Sequence, residues 1–288
     1  MTISLEHLPL LRQQQLQAVT KIITMAIHPE KIILFGVYAT PGASPVLSPE
    51  QQFPSFLYGY DILVVTRRND QRCDHALQDI IENRCRFSTP VNILVHDIGY
   101  VNDQLSRGHY FFSTISREAI LLYDAGLVPL VDGPLPDPAL IRAAAQRDFE
   151  RWWSRASAFY NTAVFSRQQK EWRISIFLLH QAVEQTYQAI LLVFTGYKPC
   201  THNLDKLRRY TNRLSIELAL VFPRNTAEED RLFRLLLQGY VDARYKEDYC
   251  ITEEDIVLLT ERVARLQSVA VRVCRNRFIS LDKMRSAA

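Results

Sequence analysis

The order of apolar and polar positions divides the chain into two parts of different character. In the first part, short apolar runs of strand length alternate with segments whose apolar residues recur at helical spacing. The strand-like runs are 31–35, 62–65 and 91–97, the helix-like segments are 5–27 and 71–84, and 111–124 starts as a helix and ends as a strand. This alternation predicts an α/β domain with a mixed sheet over residues 1–128.

After residue 138 the apolar spacing is helical throughout. Candidate helices cover 139–166, 171–194, one or two pieces within 203–222, 226–243 and 252–275. The last two open on "TAEE" and "TEED", which have the spacing of a capping box. Five helices with short connections predict a bundle over 139–288, so the whole chain is expected to be α+β.

Proline and glycine mark the breaks in this pattern. Four prolines lie within residues 41–57, which predicts an insertion without regular structure. Residues 126–138 hold two glycines and four prolines, and we place a linker at 129–138 between the two predicted domains.

Composition narrows the class of protein. The chain of 288 residues is 48% apolar and has no apolar run of 18 residues, so no membrane span is expected. The first residues lack the pattern of a signal peptide. The five cysteines are scattered and form no CxxC pair, which argues against a zinc site and a disulfide framework and favours a reducing cytoplasm.

Charge is unevenly distributed between the two parts. Residues 1–138 carry 10 Lys+Arg against 14 Asp+Glu, a balance of −4, whereas residues 139–288 carry 24 against 17, a balance of +7. The second part is therefore the better candidate for contact with phosphate, although a solvated helical surface would also explain its arginines.

Two stretches of the first part, "IILFGVYATPG" and "YDILVV", resemble the minimal nucleotidyltransferases. Members of that superfamily place a glycine and a serine after the first strand and two acidic residues on the next, with a third acid on a later strand. The glycine turn brings backbone N–H groups to a triphosphate, and the carboxylates hold a divalent metal ion. The resemblance implies this arrangement for residues 32–42 and 60–65.

The match fails where the chemistry of the family lies. Gly36 takes the place of the glycine, but Val37 stands at the serine. Asp61 matches the second acid, whereas Gly59 and Asn92 stand at the first and third. One carboxylate is a poor set of ligands for octahedral Mg²⁺, so we expect a degenerate, inactive module with Asp61 as its one remaining candidate metal ligand.

Other interpretations of Asp61 stay open. Glu50 or Asp97 could replace the missing metal ligands, which would keep the transferase active. Alternatively, Asp61 caps a strand end or pairs with Arg67 or Arg68 and binds no metal.

In the second part, "ISIFLLHQAVEQTYQAILLVFTGYKPCTHNLDKL" resembles the HEPN domains, which are small helical bundles. The match rests on His180 and Glu184 in the core helix, on Gly196 at its end, and on His202 in the "HxLxxL" pattern that follows. His180 and Glu184 are four residues apart, so a hydrogen bond between them is expected. His202 is expected to cap the next helix or to bridge to its neighbour.

Many HEPN domains are ribonucleases that need an arginine followed by a histidine. Here Arg244 stands at the arginine, but no histidine occurs after His202, so cleavage of that type is not expected. The stretch "ARYKEDY" instead resembles the sacsin-like, nucleotide-binding branch of HEPN. That resemblance implies binding of a nucleotide or another polyanion. Arg244 and Lys246 offer two cations for phosphate, and the flanking rings of Tyr240, Tyr245 and Tyr249 can stack on a base. A helix end with core tyrosines is the alternative explanation.

Together these features predict a protein that binds a nucleotide or an RNA phosphate without Mg²⁺, with ATP or GTP as candidate ligands. The HEPN resemblance further implies a homodimer formed through that domain. The alternatives are an active nucleotidyltransferase with relocated metal ligands and a module of the toxin–antitoxin or defence type.

Overall fold

The structure is a computed structural model that describes residues 5–6, 8–41, 56–68, 70, 72–85, 89 and 91–287. The chain divides into two compact units, Met1–Pro136 and Asp137–Ala288. The first is built on a sheet and the second on helices, so the predicted α+β class is confirmed.

Among the described residues, the N-terminal unit has one mixed sheet with the strand order β3-β2-β1-β4. The strands are β1 (Lys31–Pro41), β2 (Phe56–Thr66), β3 (Val91–Asp97) and β4 (Ile120–Asp124). The helices are α1 (Leu10–Ile27), α2 (Asp74–Cys85), α3 (Ile98–Ser106) and α4 (Tyr110–Glu118). β1 is antiparallel to β2 and β4, whereas β2 and β3 run parallel, which is the direction that the intervening helix α2 allows.

Both faces of the sheet are covered by helices. On one face, alternate strand residues such as Ile32 and Ile62 form a core with Leu16 of α1 and Leu77 of α2, and all four are fully buried. Burial of each such side chain stabilises the fold by roughly 1.5–3 kcal/mol. The other face meets α3 and α4, whose buried residues complete the layer. Central strands covered on both faces explain why the sequence shows them as continuous apolar runs.

The first strand is longer than predicted. The sequence predicts an end at Phe35 followed by a glycine turn, but β1 continues to Pro41 and stays paired with β2. The register shifts between Leu34 and Gly36, so Gly36 lies at a bulge inside the strand and not in a turn. The expected insertion at 41–57 falls, from 42 to 55, outside the described residues.

The chain beyond β4 lies against the N-terminal unit. The buried carboxylate of Glu30 accepts a hydrogen bond of 2.8 Å from the backbone N–H of Val128. Asn102 of α3 accepts one of 2.9 Å from the N–H of Val131. The residues expected as a linker, 129–138, therefore begin along α3.

In the C-terminal unit, the described residues form seven helical segments where the pattern predicts five. They are α5 (Pro138–Gln168), α6 (Trp172–Thr195), α7 (Leu204–Asn212), α8 (Ile216–Ala219), α9 (Ala227–Gln238), α10 (Asp242–Tyr245) and α11 (Glu253–Ala287). The capping box predicted at 226–229 is present, with Thr226 and Glu229 satisfying each other's backbone N–H groups. The expected helix 226–243 ends early, at Gln238, and α10 is a separate short turn.

Helix α6 is the core of this unit. It packs against α5, α7, α9, α10 and α11, and 16 of its 24 residues are buried. It ends at Gly196, whose positive φ of 68° suits the left-handed conformation that closes a helix. None of the described helices has the length and apolar content needed to cross a bilayer.

Candidate functional site

The structure brings the predicted transferase positions together at the centre of the sheet. Asp61 pairs with Gly36 on one side and with Asn92 on the other, across three neighbouring strands. Asp61 is fully buried, and the Asn92 side-chain amide donates a hydrogen bond of 2.9 Å to its carboxylate. Val37 is 42% exposed, and Gly59 pairs with the backbone of Tyr38. The motif positions are thus neighbours in the sheet. Asp61 is the one acidic residue among them, and its carboxylate is hydrogen-bonded to the Asn92 amide.

These groups are a poor metal site. No group of three or more His, Cys, Asp or Glu side chains suited to a metal ion occurs in the described part of the chain. The Asn92 side-chain oxygen is buried without a hydrogen-bond partner in that part of the chain. Of the motif positions described, Asp61 therefore offers one carboxylate and Asn92 one amide oxygen as metal ligands. Mg²⁺ prefers more carboxylate and water oxygen than this.

Asp97, one of the two alternative metal ligands considered from the sequence, instead caps a helix. Asp97 caps α3, a helix that the sequence pattern missed, and accepts hydrogen bonds from the N–H groups of Gly99 and Tyr100 at 2.8 and 3.0 Å. Glu50 lies outside the described residues.

The histidines of the second unit form contacts different from those expected. His180 does not bond to Glu184 but places Nδ1 3.0 Å from the carbonyl oxygen of Leu236 on α9. Glu184 instead lies 2.9 Å from Nδ1 of His202, which follows the loop after α6. The i, i+4 spacing predicted the wrong pair because both side chains reach outward from α6 to neighbouring segments. Of the two roles expected for His202, bridging is the one observed, since Asn203 caps α7.

His180 is a buried, neutral histidine. It is 2% exposed, and burial lowers its pKa to about 4. At neutral pH the ring therefore carries one proton, and the contact with the Leu236 carbonyl assigns that proton to Nδ1.

His202 is exposed but held in place. Its side chain is 69% exposed, whereas the Glu184 carboxylate that it contacts is 6% exposed. The imidazole also stacks on the ring of Tyr240, with 5.8 Å between centroids and 9° between planes. Two restraints on an exposed ring fix its orientation and leave Nε2 as the nitrogen not engaged by Glu184.

These residues line an open cleft of about 570 Å³, which we call the Tyr240 cleft. Its polar lining includes His180, His202, Asp205, Arg224, Arg234 and Tyr240. The residues come from α6, the segment between α6 and α7, the start of α7, the loop before α9, α9 itself and the segment after it. The volume is in the range of small-molecule sites. Sequence analysis missed Arg224 and Arg234, which belong to no motif and meet the histidines only in the fold.

Arginines outnumber carboxylates beside this cleft, in what we call the arginine network. Arg224 joins Asp205 at 2.8 Å to Asp230 at 2.6 Å, and Arg234 meets Asp230 at 2.7 Å. Arg208 and Arg209 also lie within 4 Å of Asp205. Although burial opposes it, the neighbouring Arg208, Arg209 and Arg224 together lower the pKa of Asp205. Four guanidiniums against two carboxylates leave two positive charges.

Arg244, the predicted phosphate contact, lies against Tyr240, one of the residues that line the cleft. Its guanidinium lies 4.6 Å from the centre of the Tyr240 ring and 4.9 Å from that of Tyr245, and its Nε donates to the carbonyl of Tyr240. Arg173 of α6 fixes this segment by donating to the carbonyls of Ala243, Lys246 and Glu247. Arg244 is therefore presented on a restrained turn beside the cleft.

The other predicted contacts of this segment differ in accessibility. Tyr245 is 73% exposed and presents its ring to solvent. Lys246 is exposed and pairs with Asp242 at 3.0 Å. Tyr249 is buried, and its hydroxyl donates to the carbonyl of Leu235 at 3.0 Å, so it packs in the core and does not offer a stacking surface.

Comparison with known proteins agrees with this description of the second unit. The HEPN domain family model matches residues 149–272, a range that runs from α5 into α11 and contains every residue of the Tyr240 cleft. The second unit therefore contains a HEPN domain, as the sequence motif predicted. A search of curated proteins finds no match to the chain.

Proposed function

We propose that the HEPN unit binds a nucleotide or another phosphate polyanion, and that the Tyr240 cleft with the adjoining Arg244 turn is the binding surface. The observation that carries this proposal is that Arg224, Arg234 and Tyr240 line one cleft and that Arg244 lies against the ring of Tyr240. Guanidinium groups make bidentate hydrogen bonds to phosphate, and exposed aromatic rings stack on bases. The presence of a HEPN domain is consistent with a role related to nucleotides or RNA.

Titration calorimetry of the full chain with ATP, GTP and a short RNA tests this proposal. We expect binding at ligand concentrations up to the millimolar range, weakened by salt because charge contributes to it. Arg234→Ala and Arg244→Ala should each weaken binding about tenfold, the effect of one charge-assisted contact. Arg272→Ala is the matched control, since Arg272 pairs with Glu217 away from the cleft residues. Absence of binding to all three ligands contradicts the proposal.

For the N-terminal unit we propose a nucleotidyltransferase-like module that does not catalyse transfer. The proposal is supported by the position of Asp61 between Gly36 and Asn92 and by the hydrogen bond from Asn92 to its buried carboxylate. Incubation with labelled ATP and either Mg²⁺ or Mn²⁺ should give no label transfer to protein, RNA or small molecules. Transfer that is lost in Asp61→Ala would establish the alternative, an active transferase.

A further inference from the structure

The Tyr240 cleft is better matched to one terminal phosphate group than to a nucleic-acid strand. The first indication is the number of donors beside it. Arg224, Arg234 and His202 line the same cleft, and a phosphate monoester presents three peripheral oxygens. An internal phosphodiester presents two and carries a single negative charge.

Charge points in the same direction. With His202 as an imidazolium that offsets the Glu184 carboxylate, the arginine network leaves two positive charges, which match the nearly two negative charges of a monoester at neutral pH. Each guanidinium has five N–H donors, so it can keep its carboxylate and still bind a phosphate oxygen.

The buried acid behind His202 is the third indication. Glu184 is 5% exposed, and one of its carboxylate oxygens has no hydrogen-bond partner in the described part of the chain, while the other contacts His202. A buried carboxylate is costly, and an apolar side chain would pack at that point of α6 without the cost. What Glu184 adds is orientation: it accepts the Nδ1–H of His202, and in the imidazolium form of the ring Nε2–H remains to donate to a phosphate oxygen.

We propose that the Tyr240 cleft recognises a terminal phosphate monoester, through Arg224, Arg234 and Nε2 of His202, with Glu184 as the positioning residue. This inference rests on the proposed function and narrows it to mononucleotides and to RNA that ends in a phosphate. Tyr240 supplies the aromatic wall on which His202 stacks. Arg244 lies 4.6 Å from the centre of the same Tyr240 ring and adds a neighbouring positive charge.

The test uses the full chain and one RNA hexamer with a fluorophore at its 3′ end, prepared with either a 5′-phosphate or a 5′-hydroxyl group. Fluorescence anisotropy should show about tenfold tighter binding of the phosphorylated probe, and AMP should compete with it. His202→Ala should remove most of that preference, and Glu184→Gln should reduce it. His75→Ala is the control, because His75 is an exposed histidine on α2 of the other unit.

The outcomes separate this inference from the broader proposal. Equal affinity for the two probes overturns terminal-phosphate recognition and leaves polyanion binding standing, whereas no binding of either probe or of ATP overturns both. A preference that persists in His202→Ala and in Arg234→Ala also contradicts the assignment. If His202→Ala fails to fold by circular dichroism, the comparison of probes on the unaltered chain and the Arg234→Ala variant decide the matter.

Discussion

At the scale of single residues, Gly133 shows how closely the segment after β4 approaches α3. A Cβ atom built on Gly133 would lie 1.8 Å from the carbonyl oxygen of Leu105, which is inside any allowed contact distance. The obstacle is backbone, so a side chain cannot move aside to relieve it. Gly133 is therefore required by its surroundings and not by an unusual φ angle.

We expect Gly133→Ala to lower the free energy of unfolding by about 1–3 kcal/mol, the usual cost of overpacking. Urea unfolding of the full chain, followed by circular dichroism, measures this change. Gly126→Asn is the control, because Gly126 has open space around it and a φ of 72° that asparagine tolerates. Equal stability of Gly133→Ala and the unaltered chain would contradict the close approach.

The residue scale also shows what sequence reasoning could and could not reach. The juxtaposition of Asp61 and Asn92 was predictable because strand periodicity and a family motif fix which positions meet. The contact between Glu184 and His202 was not, because a spacing rule connects residues within one helix and does not describe the loop that returns His202 to α6. Arg224 and Arg234 carry no motif and could not be distinguished from surface arginines before the fold was known.

At the scale of elements, one arginine joins α9 to the start of α11. Arg231 donates to the carboxylate of Asp255, which is buried, and also pairs with Glu228. The hydrogen bond from Arg231 lowers the pKa of Asp255, although burial opposes it. Because the folded-state pKa is depressed, this contribution to stability is present above the unfolded pKa and is lost as the pH falls through the folded value.

Asp255→Asn should therefore destabilise the chain at pH 7 by about 1 kcal/mol, as the loss of a partly exposed ion pair does. The difference from the unaltered chain should shrink as the pH falls below about 4, the usual aspartate range. Urea midpoints at pH 7 and pH 3 measure both values. Glu254→Gln, an exposed acid one position earlier, serves as the control. A difference that is unchanged at pH 3 would show that charge is not its source.

Some element boundaries could be predicted from the sequence and others could not, and the difference has a physical reason. The limits of α6 and the capping box of α9 follow from local chemistry, since Gly196, Thr226 and Glu229 act within one turn of the chain. The continuation of β1 beyond Gly36 depends on pairing with β2, a partner distant in sequence. Local patterns cannot report such pairing, and the same holds for the short α3 packed on the sheet.

At the scale of the whole molecule, the fold class and the HEPN domain were accessible from the sequence, because periodicity and a long motif both extend over many residues. The homodimer implied by the HEPN resemblance stays a prediction. Light scattering of the full chain in the micromolar range should give about twice the chain mass of 33.4 kDa. A mass of one chain at every concentration would contradict it.

The central position of α6 has a consequence for synthesis on the ribosome. Thr195, its last residue, precedes the start of α11 at Glu253 by 58 positions, so α6 and the preceding α5 emerge well before α11, which covers part of α6, is made. At about 5–20 residues per second, the apolar face of α6 that α11 later covers stays exposed in the nascent chain for several seconds. Chaperones that hold exposed apolar segments would meet the chain in that interval, and a ribosome that stalls before Glu253 would release a product prone to aggregate.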